Sequence, residues 1–312
     1  MKKEKSKSNP NCRQDAQPAC LVLISFLFTF FFCIQTFSLY GQGFPGAQSG
    51  NDPFSVMDKA INDSEKIFTP DEEYYLGRAV AANILTIYKP YTQNTALTRY
   101  LNNICQVLVI NSLVPQAYNG YYVMILDSQE FNAFATPGGH IFITRGLMEA
   151  VSSEDALAGI IAHELAHIML RHGISMITSM KAADDLNSIA RQSAVIAGGE
   201  NNDNQGIQAF RNSINEFMDN MLKSGYSRAQ EFEADNTAIE LLASAGYDPK
   251  GFLEALEVLQ KAQRSQQGGI FNTHPTTSER ISNALQLTAG MVSPNTQSAR
   301  KERFTRNTEA KP

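Results

Sequence analysis

Residues 152–173 have the sequence SSEDALAGIIAHELAHIMLRHG, and this stretch predicts the central helix of the protein. Apolar residues recur along it at helical spacing and leave little polar surface. Ser152 and Asp155 have the spacing of an N-terminal cap, and Gly173 follows two basic residues at the other end. We therefore expect a largely buried helix over 152–173.

Within this helix, His163, Glu164 and His167 form the pattern HExxH. Two histidines at this spacing lie on one face of a helix, so both can bind one metal ion. The carboxylate of Glu164 can then take a proton from a water molecule that zinc has made acidic. A chance pattern on a buried helix is the alternative, but burying these three groups without a partner would be unfavourable. The pattern predicts a zinc-dependent hydrolase.

A catalytic zinc site has three protein ligands and one open position in most enzymes. In the class that uses a third histidine, a glycine and a histidine follow the motif, but Leu170 and Gly173 occupy those positions here. A carboxylate from a second helix is the other common solution. Glu231 and Asp235 lie four residues apart on such a predicted helix and therefore share a face.

Glu231 is the candidate third ligand, and Asp235 can accept the free ring N–H of a ligand histidine and fix its tautomer. Glu233 points away from this face and is interpreted as a solvent-facing charge. Acidic pairs on helices are common, so spacing alone leaves the assignment of Glu231 open.

His274 and Arg280 have two interpretations each. Near zinc, His274 or Arg280 could stabilise the oxyanion of a tetrahedral intermediate. Alternatively, His274 is a loop residue before a helix and Arg280 is a structural ion-pair partner. We favour a catalytic role for His274 and leave Arg280 open. His140 is interpreted as structural, and His172 as a cation favoured at a helix C-terminus.

The rest of the chain predicts an α+β fold that is mostly helical, with a small mixed sheet. Strands are expected at Tyr121–Leu126 and His140–Thr144, paired around the turn 136–139. The segment Ile141–Thr144 is the candidate edge strand for binding an extended substrate. The insertion 184–225, with a centre rich in Gly and Asn, is a candidate lid.

The N-terminus predicts export. A lysine-rich start precedes an apolar, phenylalanine-rich run, so 1–40 is either a cleaved signal peptide or a retained membrane anchor. Residues 41–68 are expected to be a linker, 69–289 the catalytic domain and 290–312 a disordered tail. Cys105 is the only cysteine beyond the N-terminal segment, so no disulfide within the catalytic domain is expected.

Length and charge limit the function classes. A chain of 312 residues can bury one substantial core. Its net charge of −5 argues against a nucleic-acid-binding protein, which would carry a basic patch.

Several stretches together resemble the HtpX and CaaX-prenyl-protease family of zinc metallopeptidases. They are HELAH at 163–167, SRAQEFEAD at 227–235, NAFATPGGHIFITRGL at 132–147 and HPTTSERI at 274–281. The resemblance covers about residues 70 to 285, and it is closest to compact BepA-like exported members without the repeat extension. It implies one zinc ion per chain, Glu231 rather than Glu233 as third ligand, and a position for His274 beside the active site, which it can occlude.

One departure from the family changes the expected substrate. HtpX and the prenyl proteases carry several membrane helices, whereas this sequence has one apolar segment at its N-terminus. We expect a zinc endopeptidase of the periplasm or cell envelope, soluble or tethered, that cleaves unfolded or misassembled envelope proteins and touches a membrane at most peripherally. A chaperone or assembly factor that uses the same cleft is the first alternative, and a zinc hydrolase for non-peptide substrates is the second.

Overall fold

Helices surround a small sheet in the computed structural model, which describes residues 68–112, 117–180, 204–263, 273–274 and 278–308. In chain order, the elements are α1 (Pro70–Ile87), α2 (Thr95–Ile110), β1 (Tyr122–Leu126), β2 (Ala133–Thr136), β3 (His140–Thr144), α3 (Arg145–Ala150), α4 (Glu154–Met169), α5 (His172–Met180), α6 (Asn204–Lys223), α7 (Arg228–Ser244), α8 (Lys250–Gln263), α9 (Ser278–Thr288) and α10 (Gln297–Thr308). The predicted α+β fold, mostly helical with a small mixed sheet, is confirmed.

The central helix α4 is shorter than predicted. It begins after Ser153, whose hydroxyl accepts a hydrogen bond from the backbone N–H of Ala156. Ser152, the expected cap, instead donates its hydroxyl to Glu254. The helix ends at Met169 because Arg171 adopts a left-handed backbone conformation, with φ 54°.

Helices α7 and α8 pack against α4, which is buried along its length except at Asp155. Gly159 permits the approach of α8, since a Cβ atom there would lie 2.9 Å from the Cα of Phe252. The Phe252 ring consequently stacks on the ring of His163, with centroids 5.7 Å apart. Gly159 therefore allows the ring of Phe252 to pack against His163, the first residue of the HExxH pattern.

The sheet is mixed and has the order β1-β3-β2. Strands β1 and β3 are parallel, and β2 and β3 are antiparallel. The predicted turn 136–139 joins β2 to β3, with Gly138 and Gly139 at positive φ, rather than joining the two predicted strands. The prediction that Ile141–Thr144 is an edge strand is wrong, because β2 pairs with β3 on the side away from β1.

The outer edge of β1 is occupied by the chain itself. The side-chain amide of Asn102 donates to the carbonyl of Val123 at 2.8 Å and accepts the N–H of Val123 at 2.9 Å. Farther along, the backbone N–H of Tyr91 donates to the carbonyl of Ile125. Strand β2 forms the other edge of the sheet and packs against α4.

Two predicted helix starts are confirmed by reciprocal capping boxes. Thr69 and Glu72 cap α1, and Ser227 and Gln230 cap α7. In each case the side chain of the cap accepts a backbone N–H, and the residue three positions later reaches back to the N–H of the cap.

The segment predicted to be a disordered tail contains the helix α10. Arg300 is 2% exposed and its Nε lies 2.8 Å from Asp155, while Arg303 donates to the buried Glu154. Tyr100 also donates its hydroxyl to Glu154 at 2.7 Å. Two arginines of this polar segment thus pair with carboxylates at the start of α4, and composition alone does not reveal those partners.

Three other predictions fall partly or wholly outside the described residues. The predicted leader 1–40 lies there, as does the linker 41–68 except for Phe68. The candidate lid 184–225 is described only from residue 204, where α6 begins and packs against α1. Within the part of the chain that the structure describes, no helix is both long and apolar enough to cross a membrane.

Candidate metal centre

Four buried side chains converge between α4, α7 and the segment 273–274. His163, His167, Glu231 and His274 each direct one ligand atom into the cluster, and these atoms all lie within 4.8 Å of one another. The most exposed of the four residues, His163, retains only 6% of its accessible surface. We call this group the metal cluster.

The four ligand atoms lie close enough together to bind one zinc ion. The Nε2 atoms of His163 and His167 lie 3.1 Å apart, and each lies 3.6 Å from a carboxylate oxygen of Glu231. Nδ1 of His274 lies 3.3 Å from Nε2 of His163 and 2.9 Å from Oε1 of Glu231. Zinc bonds of about 2.0–2.1 Å place neighbouring tetrahedral ligands about 3.3 Å apart. Three imidazoles and a carboxylate are also ligand types that zinc prefers.

Asp235 and Arg280, which were predicted to lie next to the metal ligands, contact members of the metal cluster. Oδ1 of Asp235 is 3.1 Å from Nδ1 of His163. Arg280 is 3% exposed and donates to both carboxylate oxygens of Asp235, at 2.8 and 2.6 Å. Its third nitrogen lies 2.7 Å from Oε2 of Glu231. This geometry favours Arg280 as an ion-pair partner that holds both carboxylates.

The carboxylates of Glu231 and Glu164 have opposite electrostatic environments. Burial raises the pKa of Glu231, but the nearby His274 and Arg280 outweigh that effect and hold the pKa well below its ordinary value. Burial also raises the pKa of Glu164, and there it outweighs the opposing effects of His274 and His163. Glu231 is therefore suited to bind a cation, and Glu164 to accept a proton.

Glu164 lies at the rim of the metal cluster and not among its ligand atoms. Its side chain is 1% exposed, and Oε1 lies 3.6 Å from Nε2 of His274. Its second oxygen has no hydrogen-bond partner among the described residues. That oxygen is free to hold a water molecule or a substrate N–H.

Tyr226 is a site residue that the sequence analysis missed. Its ring stacks on His167, with centroids 4.1 Å apart and planes inclined by 16°. It precedes the cap Ser227, a position where an apolar residue often packs onto the helix that follows. Its place before the cap was the one sequence feature that pointed to packing of Tyr226. The ring packs on His167 of α4, however, and not on α7.

His172 differs from its predicted position, and Glu233, which was interpreted as a solvent-facing charge, is partly exposed and also contacts His172. His172 opens α5 rather than ending α4, and its Nδ1 lies 2.8 Å from Nδ1 of His167. Its Nε2 lies 3.3 Å from Glu233, whose side chain is 43% exposed. His140, in contrast, stacks on Tyr74 outside the metal cluster, as its structural interpretation requires.

Comparison with known proteins agrees with this geometry. The model of Peptidase family M48 matches residues 95–288, which is more than half of the chain. The beta-barrel assembly-enhancing protease of Escherichia coli (strain K12) is 25% identical over 197 residues, which are 62% of this chain and 39% of that protein. The metalloprotease LoiP of the same organism is 29% identical over 153 residues, covering 49% of this chain and 57% of LoiP.

A eukaryotic relative shows the same partial coverage. The mitochondrial metalloendopeptidase OMA1 of Schizosaccharomyces pombe is 30% identical over 154 residues, which are 48% of this chain and 41% of that protein. The matches thus span about half of the length of these relatives. The resemblance found from the motifs is confirmed at the level of the family.

Proposed function

Since the chain belongs to Peptidase family M48, we propose that it is a zinc-dependent endopeptidase that cleaves unfolded or misassembled proteins of the cell envelope. The observation that carries the proposal is the metal cluster, whose ligand atoms all lie within 4.8 Å of one another, beside the buried carboxylate of Glu164, whose pKa is raised by burial. The names of the relatives, which are proteases and a metalloendopeptidase, support the same activity.

We assign the metal-binding role to His163, His167 and Glu231, with one zinc ion per chain. When bound, zinc makes a water molecule more acidic and polarises the carbonyl of the peptide bond. Glu164 takes the proton from the attacking water and passes it to the leaving amine. Oδ1 of Asp235 lies 3.1 Å from Nδ1 of His163, where it can accept the ring proton and hold the tautomer, and Arg280 forms ion pairs with both Asp235 and Glu231.

An extended peptide can reach this site along the sheet. The outer edge of β1 is covered by Asn102 and Tyr91, whereas β2 lies at the opposite edge and packs against α4. A substrate that adds to β2 as a strand therefore runs beside the helix that carries Glu164. Backbone pairing accepts many sequences, which suits a protease for unfolded chains.

Metal removal tests the proposal directly. We expect that dialysis against a zinc chelator lowers casein cleavage at least about 100-fold, because water activation is lost, and that added zinc restores it. Zinc content and cleavage rate are measured on the same samples. Cleavage that continues in zinc-free protein would contradict the proposal, and hydrolysis of esters without any peptide cleavage would favour the non-peptide hydrolase.

His274 decides whether the site is open. A zinc ion held by three protein groups keeps one position for water, whereas a fourth ligand closes the site. Nδ1 of His274 occupies a fourth ligand position, and Thr273 beside it is buried and contacts Asn132. We therefore propose that the structure represents a resting arrangement, and that His274 withdraws when substrate enters.

Replacement of His274 by alanine is expected to raise kcat/KM for casein at least about threefold at full zinc occupancy. The reason is that only molecules with His274 withdrawn are competent, so removing the side chain enlarges that fraction. The measurement is initial rate per bound zinc. A rate per zinc below that of the wild type would show that His274 stabilises the oxyanion instead, the role first predicted for it.

A chaperone or assembly factor is the second candidate. The observation that favours it is the closed, buried metal cluster, which is compatible with rare turnover. The Glu164 variant described in the Discussion separates the two candidates.

A further inference from the structure

We propose that His172 and Glu233 form a positioning chain for His167. The inference rests on the proposed zinc site and adds two residues that do not bind the metal. His172 is 3% exposed, so its ring has a fixed environment, while Glu233 connects that ring to the protein surface.

The contacts determine which nitrogen carries each proton. Nε2 of His167 faces Nε2 of His163 and the carboxylate of Glu231, so it must offer a lone pair to the metal. The proton of His167 then resides on Nδ1, which lies 2.8 Å from Nδ1 of His172. His167 is the donor in this hydrogen bond and His172 is the acceptor.

The same reasoning continues to Glu233. Because Nδ1 of His172 accepts a hydrogen bond, its own proton resides on Nε2. That nitrogen lies 3.3 Å from Oε2 of Glu233, which accepts. The carboxylate thus selects the tautomer of His172, and His172 selects the tautomer of His167.

The arrangement parallels the other ligand histidine of α4. Nδ1 of His163 lies 3.1 Å from the carboxylate of Asp235 directly. For His167 the carboxylate acts through an intervening imidazole. Partners of this kind fix ring orientation and raise ligand basicity, and their loss lowers metal affinity by about 10- to 100-fold.

The test is the zinc affinity of the full chain, measured by competition with a chelating indicator. For His172→Leu we expect an affinity about 10- to 100-fold weaker than that of the wild type. For His172→Asn we expect an affinity within about threefold of wild type, since its amide oxygen occupies the place of Nδ1 and accepts the same proton. His172→Gln places its amide near the position of Nε2, so it cannot accept the proton of His167. Its zinc affinity should be as weak as that of the leucine variant. The exposed Glu257→Ala on α8 is the control for loss of a surface carboxylate.

A spectroscopic measurement separates positioning from general packing. In the zinc-loaded wild type with ¹⁵N-labelled histidine, we expect long-range ¹H–¹⁵N correlations to show His167 protonated at Nδ1. A proton on Nε2, or asparagine and leucine variants that lose affinity equally, would overturn the proposal.

Glu233→Ala keeps the test decisive if His172→Leu does not fold, because this side chain is partly exposed. We expect it to weaken zinc binding at least about threefold, and unchanged affinity would overturn the chain. Failure of the wild type itself to bind zinc would instead refute the proposed function, so the two failures are distinguishable.

Discussion

Glu164→Gln is expected to lower peptide hydrolysis by about 10²- to 10⁴-fold while the zinc content stays the same. The amide has the size of the carboxylate but cannot accept a proton from water. Glu164 is not one of the four metal-cluster residues, so its replacement leaves the ligand set complete. The measurements are casein cleavage and bound zinc in the same preparation.

The matched control for this variant is Glu257→Gln, which makes the same chemical change at an exposed position of α8. It should cleave casein at the wild-type rate. A Glu164→Gln protein that retains zinc and still cleaves casein normally would refute the assignment of Glu164 as general base. One that cannot cleave but still supports envelope assembly in cells would favour the chaperone.

Glu231→Gln is expected to lower zinc affinity more than about 100-fold. Loss of an outer partner already costs about 10- to 100-fold, and here a ligand itself loses its charge. The change also leaves Arg280 with the carboxylate of Asp235 but without that of Glu231. Hydrolysis at low zinc concentration should fall with the occupancy of the site.

The thermal midpoint of unfolding reports this effect independently of catalysis. A ligand at 100 times its dissociation constant stabilises the folded state by about 2.7 kcal/mol. At a zinc concentration that saturates the wild type, the variant should show little of this stabilisation. A zinc-induced shift as large as that of the wild type would show that Glu231 is not a ligand.

Local sequence patterns predicted the parts of the site that depend on neighbours in the chain. The HExxH spacing brings His163 and His167 together because one helix carries both. The two capping boxes are local in the same sense, and both are confirmed. The pairing of Glu231 with this helix was suggested by its spacing to Asp235, and the family resemblance made it specific.

Features that depend on distant partners were not predictable in the same way. Strand β2 has only four residues, and it extends because β3 pairs with it, not because of a strong strand pattern. The helix α10 is polar, and it contacts the rest of the fold through Phe304, which packs on the hydrophobic core, and through ion pairs of Arg300 and Arg303 with carboxylates 145 and 149 residues earlier in the chain. His172 looked like a helix terminus although its partner His167 is only five residues earlier, because the contact depends on the left-handed backbone of Arg171, which ends the helix between them.

The amide of Asn102 has a consequence for self-association. The unpaired N–H and C=O groups of an edge strand can form hydrogen bonds with another extended chain, and such pairing leads to aggregation. The side chain of Asn102 forms hydrogen bonds with both the N–H and the carbonyl of Val123, so another chain cannot pair with β1 at this residue. Under the proposed function, an extended substrate pairs instead with β2, the edge strand that packs against α4. Under the proposed function, the side chain of Asn102 thus has two effects: it limits self-association through β1, and it leaves β2 as the edge to which a substrate can add.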